Sequence, residues 1–309
     1  MPEKVKSILI TGAQGFVGRN LTEYFTPKYE IYGMGHAELD LLDAGAVKDF
    51  FTAHTIDIVL HCANVGGSRI TGYDAGTADI VEKNLRMFFN LERALPDTAY
   101  MLHFGSGAEY DKRNYQPKMT EEFFDRFVPE DAYGYSKYLI SKYIFSRSNI
   151  SCLRIFGLYG MYEDYRFKFI SNAIVKNLLH MPIIINQNIV FDYLFIEDLL
   201  RIVEYFITHT PQKRHYNLTP ARSIDLVSLG HLINKVSPFQ SEIKVKNDGM
   251  NRQYSGDNSR LLGELGQYKF VEYEDGIRCL YRYYESVLDQ LDLDTVRSDP
   301  YIHACQTKF

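Results

Sequence analysis

Residues 7–25 read SILITGAQGFVGRNLTEYF, and the way this stretch divides decides the fold. SILIT (7–11) is an apolar run of strand length, and the segment from Phe16 onward has helical periodicity. Between them Gly12, Gly15 and Gly18 fall at G-x-x-G-x-x-G spacing. Glycine suits such a place for physical reasons. The turn asks for unusual backbone angles, a pyrophosphate must come close to the main chain, and the helix must pack tightly on the sheet. The helix N-terminus then faces the phosphates. The loop reads as a dinucleotide-binding turn, with a purely structural turn as the alternative.

Outward from this loop the alternation continues. EIYGMG (30–35), DIVLHCA (57–63), AYMLHFGS (99–106) and SCLRIFG (151–157) read as strands. AGAVKDFFTAH (44–54), TADIVEKNLRMFFNLERAL (77–95) and YGYSKYLISKYIFSRS (133–148) read as helices between them. Apolar strands separated by helices indicate an α/β fold, a doubly wound parallel sheet covered on both faces. Ligands in such sheets sit beyond the carboxyl ends of the strands. After residue 157 the order is less regular. RFKFISNAIVKNLLHM (166–181), IDLVSLGHLINKV (224–236) and EDGIRCLYRYYESVLDQL (274–291) are expected helices, and PIIIN (182–186) and HYNLT (215–219) short strands. The expected division is a dinucleotide-binding domain over 1–160, completed by about 189–217. A smaller substrate-binding lobe would take 161–188 and 218–309.

The composition narrows the function. Of 309 residues 46% are hydrophobic and 24% charged, and the net charge is −5. With no basic run, a nucleic-acid partner is not expected. The four cysteines, Cys62, Cys152, Cys279 and Cys305, are dispersed without a C-x-x-C pair, as reduced thiols of a cytoplasmic protein would be. MPEKVKSILITG at the start has no leader-like apolar region, and no segment reaches 18 apolar residues, so no membrane span is expected. The nine histidines have no metal-ligand spacing, and no metal is expected.

DAYGYSKY (131–138) carries a candidate for chemistry. Tyr133 and Lys137 lie four apart and share a helix face. A phenol titrates near pH 10 and needs help to exchange a proton near neutrality, which a cation one turn away supplies. Alone, the pattern is equally a solvated helix face. At the end of the second strand Met34, Gly35 and His36 place no carboxylate for a ribose 2′-hydroxyl, which points to NADP rather than NAD.

Several motifs follow one another: the glycine loop, DLLD (40–43), LHCANVGG (60–67), Ser106, Tyr133 with Lys137, LRIFGLYG (153–160) and FDYLFIEDL (191–199). In this order they resemble the extended short-chain dehydrogenase/reductase (NAD-dependent epimerase/dehydratase) family, which acts on nucleotide-activated sugars. The resemblance covers nearly the whole chain and thins after about residue 220. AELDLLDAGAVKDFF (37–51) and HCANVGG (61–67) are most similar to its branch of GDP-fucose synthases and nucleotide-sugar 4-keto reductases.

The resemblance implies roles. Tyr133 would exchange a proton with a sugar oxygen, Lys137 would support it and hold the nicotinamide ribose, and Ser106, four before Tyr110, would hydrogen-bond the sugar. Cofactor contacts would come from Gly12, Gln14, Gly15, Phe16, Val17, Gly18, His36, Asp40, Leu41, Cys62, Ala63 and Phe156, with Tyr133 and Lys137. Asp40 would hold the adenine amino group, or else cap the next helix. Substrate contacts would come from Val65, Ser106, Gly107, Ala108, Tyr133, Gly157 and Asn172. Arg154 and Asp198 read as structural.

The chain also departs from the family. Where its dehydratases carry an acid pair after the serine or threonine, this chain has Gly107 and Ala108. The cysteine and histidine with which GDP-fucose synthases epimerise beside the ketone are missing. Glu109, Glu163 and Asp164 are the nearby carboxylates. Gly157 replaces a frequent asparagine, and Phe191 an arginine. The expectation is therefore NADPH-dependent reduction of a nucleotide-diphospho-4-keto-6-deoxy sugar, without epimerisation at C3 or C5. An NAD-dependent 4-epimerase and a non-catalytic dinucleotide sensor are the alternatives. Apolar faces on helices 79–95 and 133–147, with Phe88, Phe89, Leu139, Tyr143 and Phe145, imply a homodimer.

Overall fold

The computed structural model describes residues 5–67, 77–303 and 305; Met1–Lys4, part of the stretch read for a leader, lie outside it. Its first half runs β1 (Ser7–Thr11), α1 (Phe16–Phe25), β2 (Glu30–Met34), α2 (Ala44–Ala53), β3 (Ile58–His61), α3 (Thr77–Ala94), β4 (Tyr100–Ser106), α4 (Ala132–Ile144) and β5 (Ile150–Ile155). The second half runs β6 (Gly157–Tyr159), α5 (Phe169–Leu178), β7 (Ile183–Asn188), β8 (Val190–Phe191), β9 (Tyr193–Phe195), α6 (Ile196–Thr208) and β10 (His215–Leu218). It ends with β11 (Ile224–Asp225), α7 (Leu226–Val236), β12 (Ile243–Met250), α8 (Ser259–Leu265), α9 (Tyr273–Ser286), α10 (Leu293–Arg297) and α11 (Pro300–His303).

Six strands form one parallel sheet in the order β10-β5-β4-β3-β1-β2. Successive side chains of a strand point to opposite faces. Accordingly Ile8 and Ile10 of β1 enter the core shared with α1 and α6, whereas Leu9 enters the core under α2, α3 and α4. Burial on both faces explains why the strands read as continuous apolar runs rather than alternating ones. On α3, Ile80, Asn84, Met87, Phe88 and Leu91 mark the buried stripe, with Asn84 and, near its end, Glu92 as buried polar side chains. Of the five apolar side chains expected to spread over more than one face of these helices, Phe88 is fully buried, while Phe145 is 56% exposed and stacks on His215.

β10 returns to the large sheet beside β5, while β7 pairs in parallel with β12, and β8 antiparallel with β11, in small sheets of their own. A seam joins the halves. Residues 254–257 bond to both sides of it: Met119 N–H donates to Ser255 O (3.1 Å) and Asp257 N–H to Met119 O (2.8 Å). Tyr254 N–H donates to Val190 O (2.9 Å) and Asp192 N–H to Tyr254 O (3.2 Å).

Some expectations need correcting. The helix expected over 166–181 is Phe169–Leu178, and His180 beyond it has φ +57°. The last long helix ends at Ser286, not 291. β12 was not anticipated, because IKVKNDGM is polar and mostly exposed; it is a strand because β7 offers it an edge. Asp40 does not cap α2. Asp43 does, accepting from the N–H groups of Gly45 and Ala46.

Candidate active site

The site is built at the carboxyl ends of β1, β3 and β4. Gly12, just past β1, has φ +66°, and a Cβ there would lie 2.9 Å from the Ala63 backbone. Gly15 N–H closes the turn on Gly12 O at 3.0 Å. A Cβ on Gly18 would run into the backbone of Gly12 and Ala13, so the third glycine serves close packing and only the first the turn. Gly15 caps α1 without a side-chain hydrogen bond, and the first turn of α1, which includes Phe16 and Val17, carries no acid. A cradle that any Cβ would fill, facing a helix N-terminus clear of negative charge, fits a dinucleotide pyrophosphate.

The adenosine end differs from the sequence expectation. A carboxylate does stand at the end of β2. Glu38 folds back so that Oε2 accepts from Gly35 N–H at 2.9 Å, with Gln14 Nε2 3.4 Å from Oε1. A turn, which strand-end reading could not follow, brings it there. His36 is exposed and its Nδ1 lies 3.5 Å from Asp40 Oδ1. Asp40 also accepts from Leu42 N–H at 2.9 Å. Leu41 puts its side chain in the core and gives its carbonyl to Asn90 Nδ2 at 2.8 Å, so the side chain is not part of the groove.

Tyr133 and Lys137 occupy consecutive turns of α4, which Asp131 caps by accepting from Gly134 N–H. The Tyr133 ring is half-buried against Gly67, whose added Cβ would lie 2.7 Å from the ring. Tyr135, by contrast, is 36% exposed. Lys137 is buried, donates to Phe104 O at 2.8 Å and lies 5.9 Å from the centre of the Tyr133 ring. A cation there stabilises negative charge on the phenol oxygen as a proton leaves. Burial lowers the Lys137 pKa, opposed by Cys152, Glu109 and Cys62.

Histidines line the same floor. Burial and Lys137 lower His61 to about 3, and His103 also falls well below its usual value for the same two reasons. Both rings are therefore neutral near pH 7. His61 Nδ1 meets Thr11 Oγ1 at 2.9 Å, and Thr11 Oγ1 accepts from Ala63 N–H at 3.2 Å, which ties the ends of β1 and β3 together. Cys62 points its thiol toward Leu60 O, and burial pushes its pKa up, so thiolate chemistry has no support.

Sequence reasoning missed Asn84. It donates to Val65 O (2.9 Å) and to Ser136 Oγ (3.0 Å), and accepts from Val65 N–H (2.7 Å). It thereby clamps the 65–67 loop to the helix carrying Tyr133. An asparagine inside the apolar stripe of α3 was the available signal.

Ser106 ends β4. Its Oγ accepts from Ala108 N–H at 3.1 Å, capping a short 3-10 turn over Gly107–Tyr110. Its own proton has no acceptor among the described residues, and it remains available to a ligand. Glu109 is not. It is fully buried, with Arg154 Nε 2.6 Å from Oε2, Ser141 Oγ donating to Oε2 at 2.5 Å and Ser106 N–H to Oε1 at 2.9 Å. Tyr110 is structural too, donating to Asn217 Oδ1 at 2.7 Å. Ala108 is buried beside it.

The remaining carboxylates are also engaged. Asp164 holds Arg166 at 2.9 Å. Glu163 is buried, accepts from Ser171 Oγ at 2.5 Å and gives its carbonyl to the Tyr284 hydroxyl of α9. Burial raises its pKa to about 7. Asn172 is buried and donates to Tyr165 O at 3.0 Å. Gly157 is crowded by the Tyr193 ring and Asp192 O. Phe156, expected beside the cofactor, has its ring among Tyr110, Tyr254 and Gly107.

Among the described residues no cluster of three metal-ligating side chains occurs, and no helix is long and apolar enough to cross a membrane. Residues 8–219 match the model of the NAD dependent epimerase/dehydratase family. The chain belongs to that family, and is an NAD(P)-dependent oxidoreductase or epimerase of the extended short-chain type. It is 24% identical to GDP-L-colitose synthase of Yersinia pseudotuberculosis, covering 90% of this chain and 97% of that one. It is 25% identical to GDP-6-deoxy-D-talose 4-dehydrogenase of Aggregatibacter actinomycetemcomitans, covering 89% and 97%. The GDP-mannoheptose C4 reductase of Campylobacter jejuni, solved with NADP bound, superposes with TM-score 0.80 at 19% identity, covering 92% of this chain and 99% of that one.

Proposed function

We propose that the chain is an NADPH-dependent reductase of a nucleotide-diphospho-4-keto-6-deoxy sugar that leaves C3 and C5 untouched. One observation carries this reading. Tyr133 and Lys137 stand ready to protonate a carbonyl oxygen, while Glu109, the carboxylate nearest Ser106 in sequence, is sealed in an ion pair with Arg154. A proton donor for oxygen is present, and this carboxylate is not free to act on carbon.

When bound, the nicotinamide supplies a hydride to the carbonyl carbon. The chain does the rest. Ser106 donates its hydroxyl proton to the substrate oxygen and orients it. Tyr133 gives its phenolic proton to that oxygen as the carbonyl becomes an alcohol. Lys137 stabilises the phenolate until solvent returns the proton. His36, exposed at the tip of β2, is the group offered to a 2′-phosphate, with Glu38 turned toward Gly35. The names of the relatives point to GDP as the nucleotide. The substrate lobe in this reading is 161–188 with 218–309, and the outer faces of α3 and α4 join two copies.

The test is stoichiometry. Purified protein with a GDP-4-keto-6-deoxyhexose should oxidise one NADPH per sugar reduced, and NADH more slowly. A 4-epimerase would instead interconvert GDP-hexoses with no net change at 340 nm. That result would replace the reading.

A further inference from the structure

Tyr162 has φ +69°, a backbone conformation that a bulky side chain rarely adopts. It lies between β6 and α5, shortly after β5 leaves the sheet at its carboxyl end, where ligands bind. Contacts from α1 hold it there. Asn20 Nδ2 donates to Phe16 O at 2.8 Å and to Met161 O at 2.9 Å. The Tyr162 hydroxyl donates to Glu23 Oε2 at 2.9 Å, and the Arg19 guanidinium sits 3.7 Å from the centre of its ring. Arg19 Nε donates in turn to Glu23 Oε1 at 3.0 Å.

The helix that clasps this loop is the one whose N-terminus faces the glycine cradle. Arg19, Asn20 and Glu23 stand in its first two turns, directly behind Phe16 and Gly18. On its other side the loop runs into the second half of the chain. Glu163, the next residue, accepts from Ser171 Oγ of α5 at 2.5 Å and gives its carbonyl to the Tyr284 hydroxyl of α9. Residues 160–163 therefore join the cofactor cradle to α5 and α9. Stability alone accounts poorly for the clasp. The Arg19 and Glu23 side chains are 52% and 50% exposed, and such pairs add little. A strained residue held by weak, exposed contacts is free to let go.

We propose that Tyr162 is a positioning residue that makes nucleotide-sugar binding depend on bound cofactor. A pyrophosphate at the glycine cradle fixes the start of α1, and a fixed α1 holds Met161 and Tyr162 in place. The loop then sets α5 in one arrangement for the sugar nucleotide. Without cofactor the clasp loosens, and Tyr162 relaxes toward ordinary backbone angles. The inference rests on the nucleotide-sugar reading above. Coupling of this kind is reciprocal, so the sugar nucleotide raises cofactor affinity by the same factor.

Calorimetric titration measures the coupling. GDP-, dTDP- and UDP-hexoses are titrated into the wild type without cofactor and with saturating NADP⁺. The one bound best is then titrated into Tyr162→Gly and Glu23→Ala in both states. Glycine adopts a positive φ freely, so Tyr162→Gly removes the clasp without adding strain. The wild type should bind the nucleotide sugar about tenfold more tightly with NADP⁺ than without. That ratio should fall to about one in Tyr162→Gly and drop about threefold in Glu23→Ala. Affinity for NADP⁺ alone should stay within about twofold of wild type, which also shows that both variants are folded. Should Tyr162→Gly lose NADP⁺ binding altogether, the ratio in Glu23→Ala decides. A wild type whose sugar affinity ignores the cofactor, variants that keep the full ratio, or equal losses in both states overturn the role of Tyr162 alone. A wild type that binds no nucleotide sugar in either state overturns the functional reading instead.

Discussion

Glu109 Oε2 lies 2.6 Å from Arg154 Nε, and neither side chain has any solvent exposure. The same carboxylate takes the backbone N–H of Ser106, so a buried ion pair holds the serine in place. Arg154 carries much of the surrounding packing as well, its guanidinium 4.4 Å from the Phe124 ring centre. Removing one partner strands the other charge where water cannot reach it. Glu109→Ala should destabilise the fold by about 3–5 kcal/mol, measured by urea unfolding. A variant of unchanged stability would remove Glu109 from this role.

Because Glu109 is engaged, reduction should proceed without exchange at carbon. A 4-keto substrate reduced in deuterium oxide should give product with no deuterium at C3 or C5 beyond the exchange seen without enzyme. Abstraction needs a base within about 3 Å of the proton or one water away. Enzyme-dependent label at either carbon would mean that some carboxylate reaches the sugar after all.

Tyr133→Phe should lower kcat by about 10²–10⁴-fold with cofactor affinity nearly unchanged, since only the transferable proton is lost. Tyr135→Phe should be close to wild type, because that ring faces solvent. The reverse ranking in steady-state kinetics would move the assignment to Tyr135.

Glu163 predicts a pH signature. Its folded pKa of about 7 exceeds the ordinary 4.5. The folded state thus binds a proton that the unfolded chain has released between these values. The stability from this group is complete below pH 4.5, falls as pH rises through 7, and is lost above. Glu163→Gln keeps an uncharged partner for Ser171 and should abolish that loss. Thermal unfolding should show the variant near wild type at pH 4.5, and more stable at pH 8 by on the order of 3 kcal/mol. Parallel curves across this range would contradict the assignment.

The legible parts of this molecule were local ones. The glycine loop, the Tyr133–Lys137 spacing and the strand–helix alternation all lie within windows where periodicity and turn chemistry act. Asn84, the Glu109–Arg154 pair and the Tyr162 clasp depend on segments far apart in the chain, the ion pair across 45 residues. Single-residue patterns do not encode such meetings. Glu38 was missed for another reason. It follows the strand end by a few residues, and only the fold of the turn brings its carboxylate back to Gly35. β12 was missed because its polar side chains reflect an exposed strand, whose pairing partner is elsewhere.

The seam at residues 254–257 also governs how the molecule melts. Its backbone bonds reach Met119 on one side and Val190 and Asp192 on the other. Neither half can come apart while the other keeps those groups paired. The segments it ties together, around Met119, Val190 and Asp192, should therefore unfold in a single calorimetric transition.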